Sequence, residues 1–393
     1  MKPHVHLAVP LLIAAACTGV DQRSPTAPGS SPSVNALQDA SGVASHASTT
    51  GVRIVDLGTL PGGWPSFAMA INGGRVIVGY SYTGANYSGV QHAVRWQEST
   101  PGNGSWSIQD LSTMITGSTM SAATAINANG DVAGWMRNSA GADFAFLLTP
   151  GGTLTLIAPP AGKNTAYAAG VNAGGAVVGY TSLSPDNTGT TVRAFYYEGG
   201  TAIVLPTLSG TSQANSISDD GRVVGYSYDA ANVQHAVKWT RDASGNWTIA
   251  RLPSSANTTT EANSATAISS TGKIAGVGCP NLSSTGCSPG SRGYFWASDV
   301  STPTVLGTLG GNVSVAYGVN DAGDLAGWSY TNVGVQRAFF SASGSGVLID
   351  LGSLSNGNGF SYGAGLSGHL VVGLSEAGSG RLRPFHAALW IVP

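Results

Sequence analysis

The stretch AMAINGGRVIVGYS at 68–81 decides how this chain is read, because it returns along the sequence. It recurs as ATAINANGDVAGWM at 123–136, AAGVNAGGAVVGYT at 168–181 and ANSISDDGRVVGYS at 214–227. ATAISSTGKIAGVG at 265–278 and AYGVNDAGDLAGWS at 316–329 follow, with a shorter copy, YGAGLSGHLVVGLS, at 362–375. Seven glycines anchor the phrase: Gly79, Gly134, Gly179, Gly225, Gly276, Gly327 and Gly373. Their spacings run 55, 45, 46, 51, 51 and 46, so the unit is roughly 50 residues long. A self-similar period of that size marks a solenoid, a propeller or an array.

Two further phrases complete each unit. An apolar run follows the anchor glycine, as in QHAVRW at 91–96, VRAFYY at 192–197 and FHAALW at 385–390. A shorter one closes the unit, as in IQDLSTM at 108–114 and LIDLGSL at 348–354. All are four to seven residues long, rich in β-branched and aromatic types, and bounded by Gly, Asn, Ser or Pro. No segment carries a helical apolar period. Between the first two phrases lies Asn-x-x-Gly, a turn in which the polar side chain bonds back to the backbone and glycine takes positive φ. Four strands per unit and seven units predict an all-β fold, a seven-bladed β-propeller of four-stranded antiparallel blades over 53–393. The closing phrase appears at 54–60, before any inner strand, and is missing after Trp390. The N-terminal strand is therefore expected to complete the last blade and close the ring, with residues near Ile54 beside those near Leu389. Alternation puts Val76, Val78 and Tyr80 on one blade face and Gly79 and Ser81 on the other. The glycines are expected to let the next blade approach.

Composition narrows the function. Charged residues make up 9% of the 393 and the net charge is −2, whereas a typical soluble domain carries about 25% charged residues. Phosphate binding needs clustered Lys and Arg, so nucleic acid is not an expected partner. The chain opens with Lys2 and an apolar run from Leu7 to Ala16. That run is too short to span a bilayer and fits a signal peptide over 1–16. Small residues before Cys17 are similar to the lipobox of bacterial lipoproteins, which makes Cys17 a lipidation site, although leucine is usual where Ala14 stands. Ordinary cleavage at Ala-x-Ala would instead leave Cys17 a thiol. Residues 17–52 are Ser, Thr, Ala, Pro and Gly with little else, a flexible tether that cannot offset its ordering entropy. Contact with a membrane is expected only through the anchor, and the chain is expected to be monomeric. Cys279 and Cys287 are spaced for a small disulfide loop in an oxidising compartment. A zinc site would need two more ligands, and none is offered nearby.

The phrases resemble the bacterial HAF repeat family, described as probable extracellular repeats and named for a His-Ala-Phe tripeptide. The matching residues are His92-Ala93-Val94, Phe144-Ala145-Phe146, Arg193-Ala194-Phe195, His235-Ala236-Val237, Arg337-Ala338-Phe339 and His386-Ala387-Ala388. Asp56-Leu57-Gly58 and Asp350-Leu351-Gly352 supply the companion phrase. The fifth unit departs, with Arg292-Gly293-Tyr294 and the cysteine loop. The resemblance implies an extracellular location and no defined activity, so no catalytic residue is carried over.

Candidate chemistry is sparse. His92, His235 and His386 share one repeat position, filled by Arg193, Arg292 and Arg337 in other units, on a strand that is not innermost, so a recurring structural hydrogen bond or a cationic rim is expected there and no metal site. Asp131, Asp219, Asp220, Asp321 and Asp324 lie at the turns, where capping is the expected role. GFSYG at 359–363 matches Gly-x-Ser-x-Gly, but it enters a repeat strand and lacks the strand-to-helix elbow such a nucleophile needs. Ser218-Asp219-Asp220-Gly221 has the wrong spacing for a sialidase box. The aromatic set Tyr80, Trp135, Tyr180, Tyr226 and Trp328 ends the second strands beside the most variable loops. These rings either fill the wedge between blades or stack on sugars. The reading is a binding or scaffold module for a glycan, cell-wall component or protein, with no cofactor and no catalytic residue. An extracellular glycan hydrolase or lyase is the alternative. It would need acids to converge, and Asp186, Glu261 and Glu376 are the unit-specific ones.

Overall fold

In the computed structural model, residues 51–100, 104–182, 192–255, 261–279, 290–355, 359–378 and 384–393 are described. The backbone of 37–38, 44–47, 282–283 and 286–287 is described as well. Each repeat folds into one antiparallel sheet whose strands follow chain order from the axis outward. The first blade comprises Ser66–Ile71, Ile77–Tyr82, Gln91–Glu98 and Trp106–Asp110. The inner strands of blades 2 to 6 are Ser118–Ile126, Thr165–Val171, Ser212–Ile217, Ala262–Ile268 and Gly310–Val319. The seventh blade takes Ser361–Ser367, Leu370–Glu376 and Phe385–Ile391 from the end of the chain. Its fourth strand is Arg53–Gly58 from the beginning, with Ile54 opposite Trp390 and Val55 opposite Leu389. The ring is a seven-bladed β-propeller closed by its N-terminal strand, as the phase of the repeats predicts.

The expected tether, 17–52, lies mostly outside the described residues, as do the signal segment 1–16 and Cys17. Two of its stretches are described as backbone strands. The backbone of Ala44–Ala47 pairs with the outer strand of the seventh blade, Ser45 opposite Val55, and Leu37–Gln38 pairs outside it. An outer strand presents unpaired N–H and C=O groups, and a neighbouring stretch of any composition can satisfy them through its backbone.

Seven apolar clusters hold the ring, one in each interface between consecutive blades. Four of them bury a tryptophan from a third strand completely: Trp96, Trp239, Trp296 and Trp390. Hydrogen bonds then fix each blade against the next. The N–H of the central alanine in the His-Ala-Phe phrase donates to a serine of the next inner strand. The pairs are Ala387 to Ser66, Ala93 to Ser121, Ala194 to Ser212 and Ala338 to Ser361, all within 2.8–3.0 Å. Gly293 donates to Ser314, and Ala236 to Asn263 Oδ1, in the variant units. The carbonyl of the same central residue accepts the N–H of the leucine that follows its own outer strand in five blades, as Ala93 does from Leu111 and Ala338 from Leu351. Thus Ala93 and its equivalents, fully buried, carry no side-chain chemistry, and their small size admits the neighbouring hydroxyl.

The turn asparagines make a second girdle. Asn72, Asn127 and Asn172 each accept a backbone N–H of their own turn through Oδ1. Their Nδ2 groups donate to the carbonyl of the next blade's turn, at Asn127, Asn172 and Ser218 respectively. Asn320 repeats the device toward Gly368. Where blade 5 carries Ser269 in place of asparagine, Asp321 reaches back from blade 6 and accepts Ser270 Oγ and the Thr271 N–H. Asp219 likewise accepts the Ala173 N–H of the preceding blade.

The anchor glycines have a different cause from the one expected. A Cβ on Gly79 would stand 1.9 Å from the Phe67 carbonyl oxygen in its own blade, not against the next one. The same clash recurs at Gly179 with Tyr167, at Gly225 with Gln213, at Gly327 with Val315 and at Gly373 with Tyr362. Opposite each anchor the inner strand carries a bulge, for instance between Ala68 and Ala70. A bulge puts two residues against one and crowds the partner strand. The glycine is what lets the inner strand bulge.

Candidate functional site

The two rims of the ring differ. Between the first and second strands lie 72–76, 127–131, 172–176, 218–222, 269–273 and 320–324, five positions in each of six blades. This turn rim is bonded blade to blade and cannot vary much. Between the second and third strands the connections are uneven: 83–90, 139–142, 229–233, 332–335 and 377–384 among others. In blade 5 the connection holds a small hairpin with Leu282 opposite Cys287, beginning just after the fully buried Cys279. Loops free to vary on a rigid frame are where binding residues collect.

Beneath the loop rim lie the aromatic residues singled out from the sequence. Tyr80, Trp135, Tyr180 and Trp328 are at most 6% exposed, and Tyr226 is half-buried. Tyr80 stacks on Phe67 with ring centroids 4.7 Å apart, and Tyr180 on Tyr167 at 5.0 Å. Trp135 meets Tyr167 edge-on, and Trp328 meets Tyr330. They form two buried aromatic clusters, one spanning blades 1 to 3 and the other blades 5 to 7. Sugar stacking needs an open ring face, and the burial of four of the five favours packing, one of the two readings open from the sequence. Burial raises the Tyr80 and Tyr226 phenols above their usual range and keeps them protonated.

The histidines do what their repeat position predicts. His92 Nδ1 lies 2.8 Å from Asp110, and His386 Nδ1 lies 2.8 Å from Asp56. Each aspartate comes from the outer-strand phrase and also accepts a backbone N–H two residues on, from Ser112 and Gly58. His235 pairs with Asp229 of its own loop, at 2.9 Å. Among the described residues no three His, Cys, Asp or Glu side chains gather as a metal site. Ser361 of GFSYG is fully buried, accepts the Ala338 N–H and donates to the Gly352 carbonyl, which makes it a blade staple. Of the unit-specific acids, Glu261 binds Ser255 and Asn263, and Glu376 accepts the Phe360 N–H. Asp186 lies outside the described residues.

One set of residues escaped sequence reasoning. The bulge of each inner strand displaces one residue: Met69, Thr124, Ala169, Asn215, Thr266, Tyr317 and Ala364. All seven line a single axial cavity of about 300 Å³. A collar of one aliphatic residue per blade, among them Ile71, Ile126, Val319 and Leu366, separates it from an asparagine-lined mouth at the turn rim. The signal was present as the most variable letter of the phrase that reads Ala-x-Ala-Ile-Asn in blades 1 and 2.

No family model matches the sequence, and no match was found among curated proteins. Solved structures show the fold elsewhere. The β-propeller domain of the Trilobed protease from Pyrococcus furiosus, described as having an open velcro topology, is similar with a TM-score of 0.51. The two share 10% identity over 83% of this chain and 94% of that one. Pyrococcus horikoshii acylaminoacyl peptidase matches at 11% identity and a TM-score of 0.49, with 83% of this chain covering 51% of that one. This chain thus spans about half of that peptidase. The six-bladed Aleuria aurantia lectin, described by its fucose recognition, matches at 13% identity over 74% of this chain and 97% of its own, with a TM-score of 0.40. At such identities the likeness is one of fold.

Proposed function

We propose that this chain is an extracytoplasmic binding or scaffold module, held at the cell envelope by an acylated Cys17. Its ligand, a glycan, cell-wall component or protein, is taken at the loop rim without chemical turnover. The contrast between the rims carries this reading. One is locked in length and bonded around the ring, while the other spends its sequence on loops of different size over a stapled frame. The HAF resemblance and the signal-like start support the location. An oxidising compartment would let Cys279 and Cys287 bridge the base of the longest loop.

An array of bacterial and plant glycans, probed with the purified chain and followed by mass analysis of each bound ligand, tests the reading. Retention of an intact ligand is the expected result. Shortened or unsaturated products would replace it with a hydrolase or lyase, and binding by nothing on the array or in a cell-wall pull-down would overturn it. Metabolic labelling with an alkyne fatty acid should mark the wild type and fail to mark Cys17→Ser.

A further inference from the structure

We infer that the axial cavity is a second binding site, for a small neutral molecule rich in hydroxyl groups, such as a single sugar ring or a cyclitol. The inference is independent of any ligand on the loop rim. Its volume, about 300 Å³, falls at the small end of ligand pockets, which run from about 300 to 1,000 Å³.

The chemistry of the wall is uneven around the ring. On one side stand Thr124, Asn215 and Thr266. Both threonine hydroxyls and one amide N–H are committed to the next blade: Thr124 Oγ1 donates to the Ala168 carbonyl, Asn215 Nδ2 to Ala265 and Thr266 Oγ1 to Ala316. What remains is acceptor capacity on all three side chains and the second N–H of Asn215. Asn215 is 8% exposed, and its Oδ1 has no hydrogen-bond partner among the described residues. A buried acceptor without a donor carries a desolvation cost that a ligand O–H would relieve. Ser216, beside Asn215, uses its oxygen on the Ile268 N–H.

The opposite side is aromatic and apolar. Tyr317 and Tyr362 lie with ring centroids 5.2 Å apart, flanked by Met69 and Leu366. Ala169, within the polar arc, and Ala364, within the apolar one, reach the cavity with a methyl group each, which leaves the space open. An acceptor arc facing an aromatic wall suits a ring with hydroxyls on its edge and C–H groups on its face. No carboxylate, amine, guanidinium or imidazole lines the cavity. A charged ligand would thus lose its hydration with no opposite charge in return. Burial raises both phenols and keeps them neutral.

Calorimetric titration of the full chain with D-glucose, D-galactose, L-rhamnose and myo-inositol, and with choline chloride beside them, tests the site. At least one neutral probe should saturate at one equivalent per chain. Ala169→Phe and, separately, Ala364→Leu fill the cavity without touching a staple. Each should weaken that binding at least tenfold while the thermal midpoint stays at the wild-type value, and a variant that fails this fold check is replaced by the other. Three results would overturn the inference: no saturation by any of the four neutral probes, saturation by choline alone, or neutral binding that both folded variants retain. A polymer retained on the array by Ala169→Phe would leave the loop-rim reading standing.

Discussion

The amide N–H of Ala387, six residues before the end of the chain, lies 2.8 Å from the hydroxyl oxygen of Ser66 in the first blade. Ser66 is fully buried and donates in turn to the Gly58 carbonyl, 2.7 Å away on the strand that closes the ring. One hydroxyl therefore ties together the last blade, the first blade and the closing strand. The same staple recurs at other junctions, which is why so many of the inner strands carry a serine at this repeat position.

Replacing Ser66 by alanine leaves the Ala387 N–H and the Gly58 carbonyl without this partner, the first of them fully buried. The expected loss is about 1–3 kcal/mol of unfolding free energy. Blade 3 supplies the reverse experiment, because Ala166 stands where other inner strands have serine. Ala166→Ser should add a bond to Ala145 and raise stability by about 0.5–1.5 kcal/mol. Urea melts of both variants measure the two effects. Equal midpoints for wild type and Ser66→Ala would show that the hydroxyl holds nothing.

A second expected outcome concerns acid. Asp229 is held down to about 2, first by the Val233 N–H and, against some desolvation, by His235 and the Ala231 N–H. Its carboxylate is preferred in the folded state, so its contribution to stability is present above the ordinary value of 3.8 and is lost as pH falls toward 2. Asp110, bonded to Ser112 and His92, is also lowered in spite of its burial and adds to the same slope. Asp229→Asn removes one titrating group. The variant's stability should fall less steeply than wild type across this acid range, and parallel curves from denaturant titrations at successive pH values would exclude Asp229 as a source of the slope.

The ring, its blade count and its seam were legible because each depends on a pattern that repeats seven times. Ala-Ile-Asn, Gly-Tyr-Ser and Asp-Leu-Gly each carry a backbone-directed bond, and such bonds demand a residue type. The cause of the anchor glycines was not legible, since the bulge that crowds Gly79 is an event of register and leaves no letter of its own. Nor was the turn of blade 1. There Arg75 takes the left-handed conformation, φ 60°, that Gly130 and Gly221 hold in other blades. Its guanidinium is paired with buried Glu98 and set over Trp106. The aromatic set stayed open between two readings because a ring that ends a strand looks the same in sequence whether it faces a loop or a neighbouring blade. The cavity wall was hidden for the opposite reason: Met69, Thr124 and Asn215 share a position and nothing else.

Gly225 and Gly221 sit four residues apart and separate the two uses of glycine. Gly221 has φ 84° with nothing within 4 Å of the place a Cβ would occupy. Alanine there meets only the left-handed penalty, roughly 1–2 kcal/mol. Gly225 has no such backbone demand, yet its Cβ would stand 2.0 Å from the Gln213 oxygen and 3.0 Å from the Ala214 Cα. Those are backbone atoms within the bulged pair, so relief requires the inner strand to move. That strand also supplies Asn215, which bonds to the Ala265 carbonyl of the next blade. Gly225→Ala should therefore cost more than about 3 kcal/mol, beyond the usual range for overpacking, and more than Gly221→Ala. Urea unfolding of the two variants gives the order directly. If Gly225→Ala proved the milder change, the bulge would not be what the anchor glycines are for.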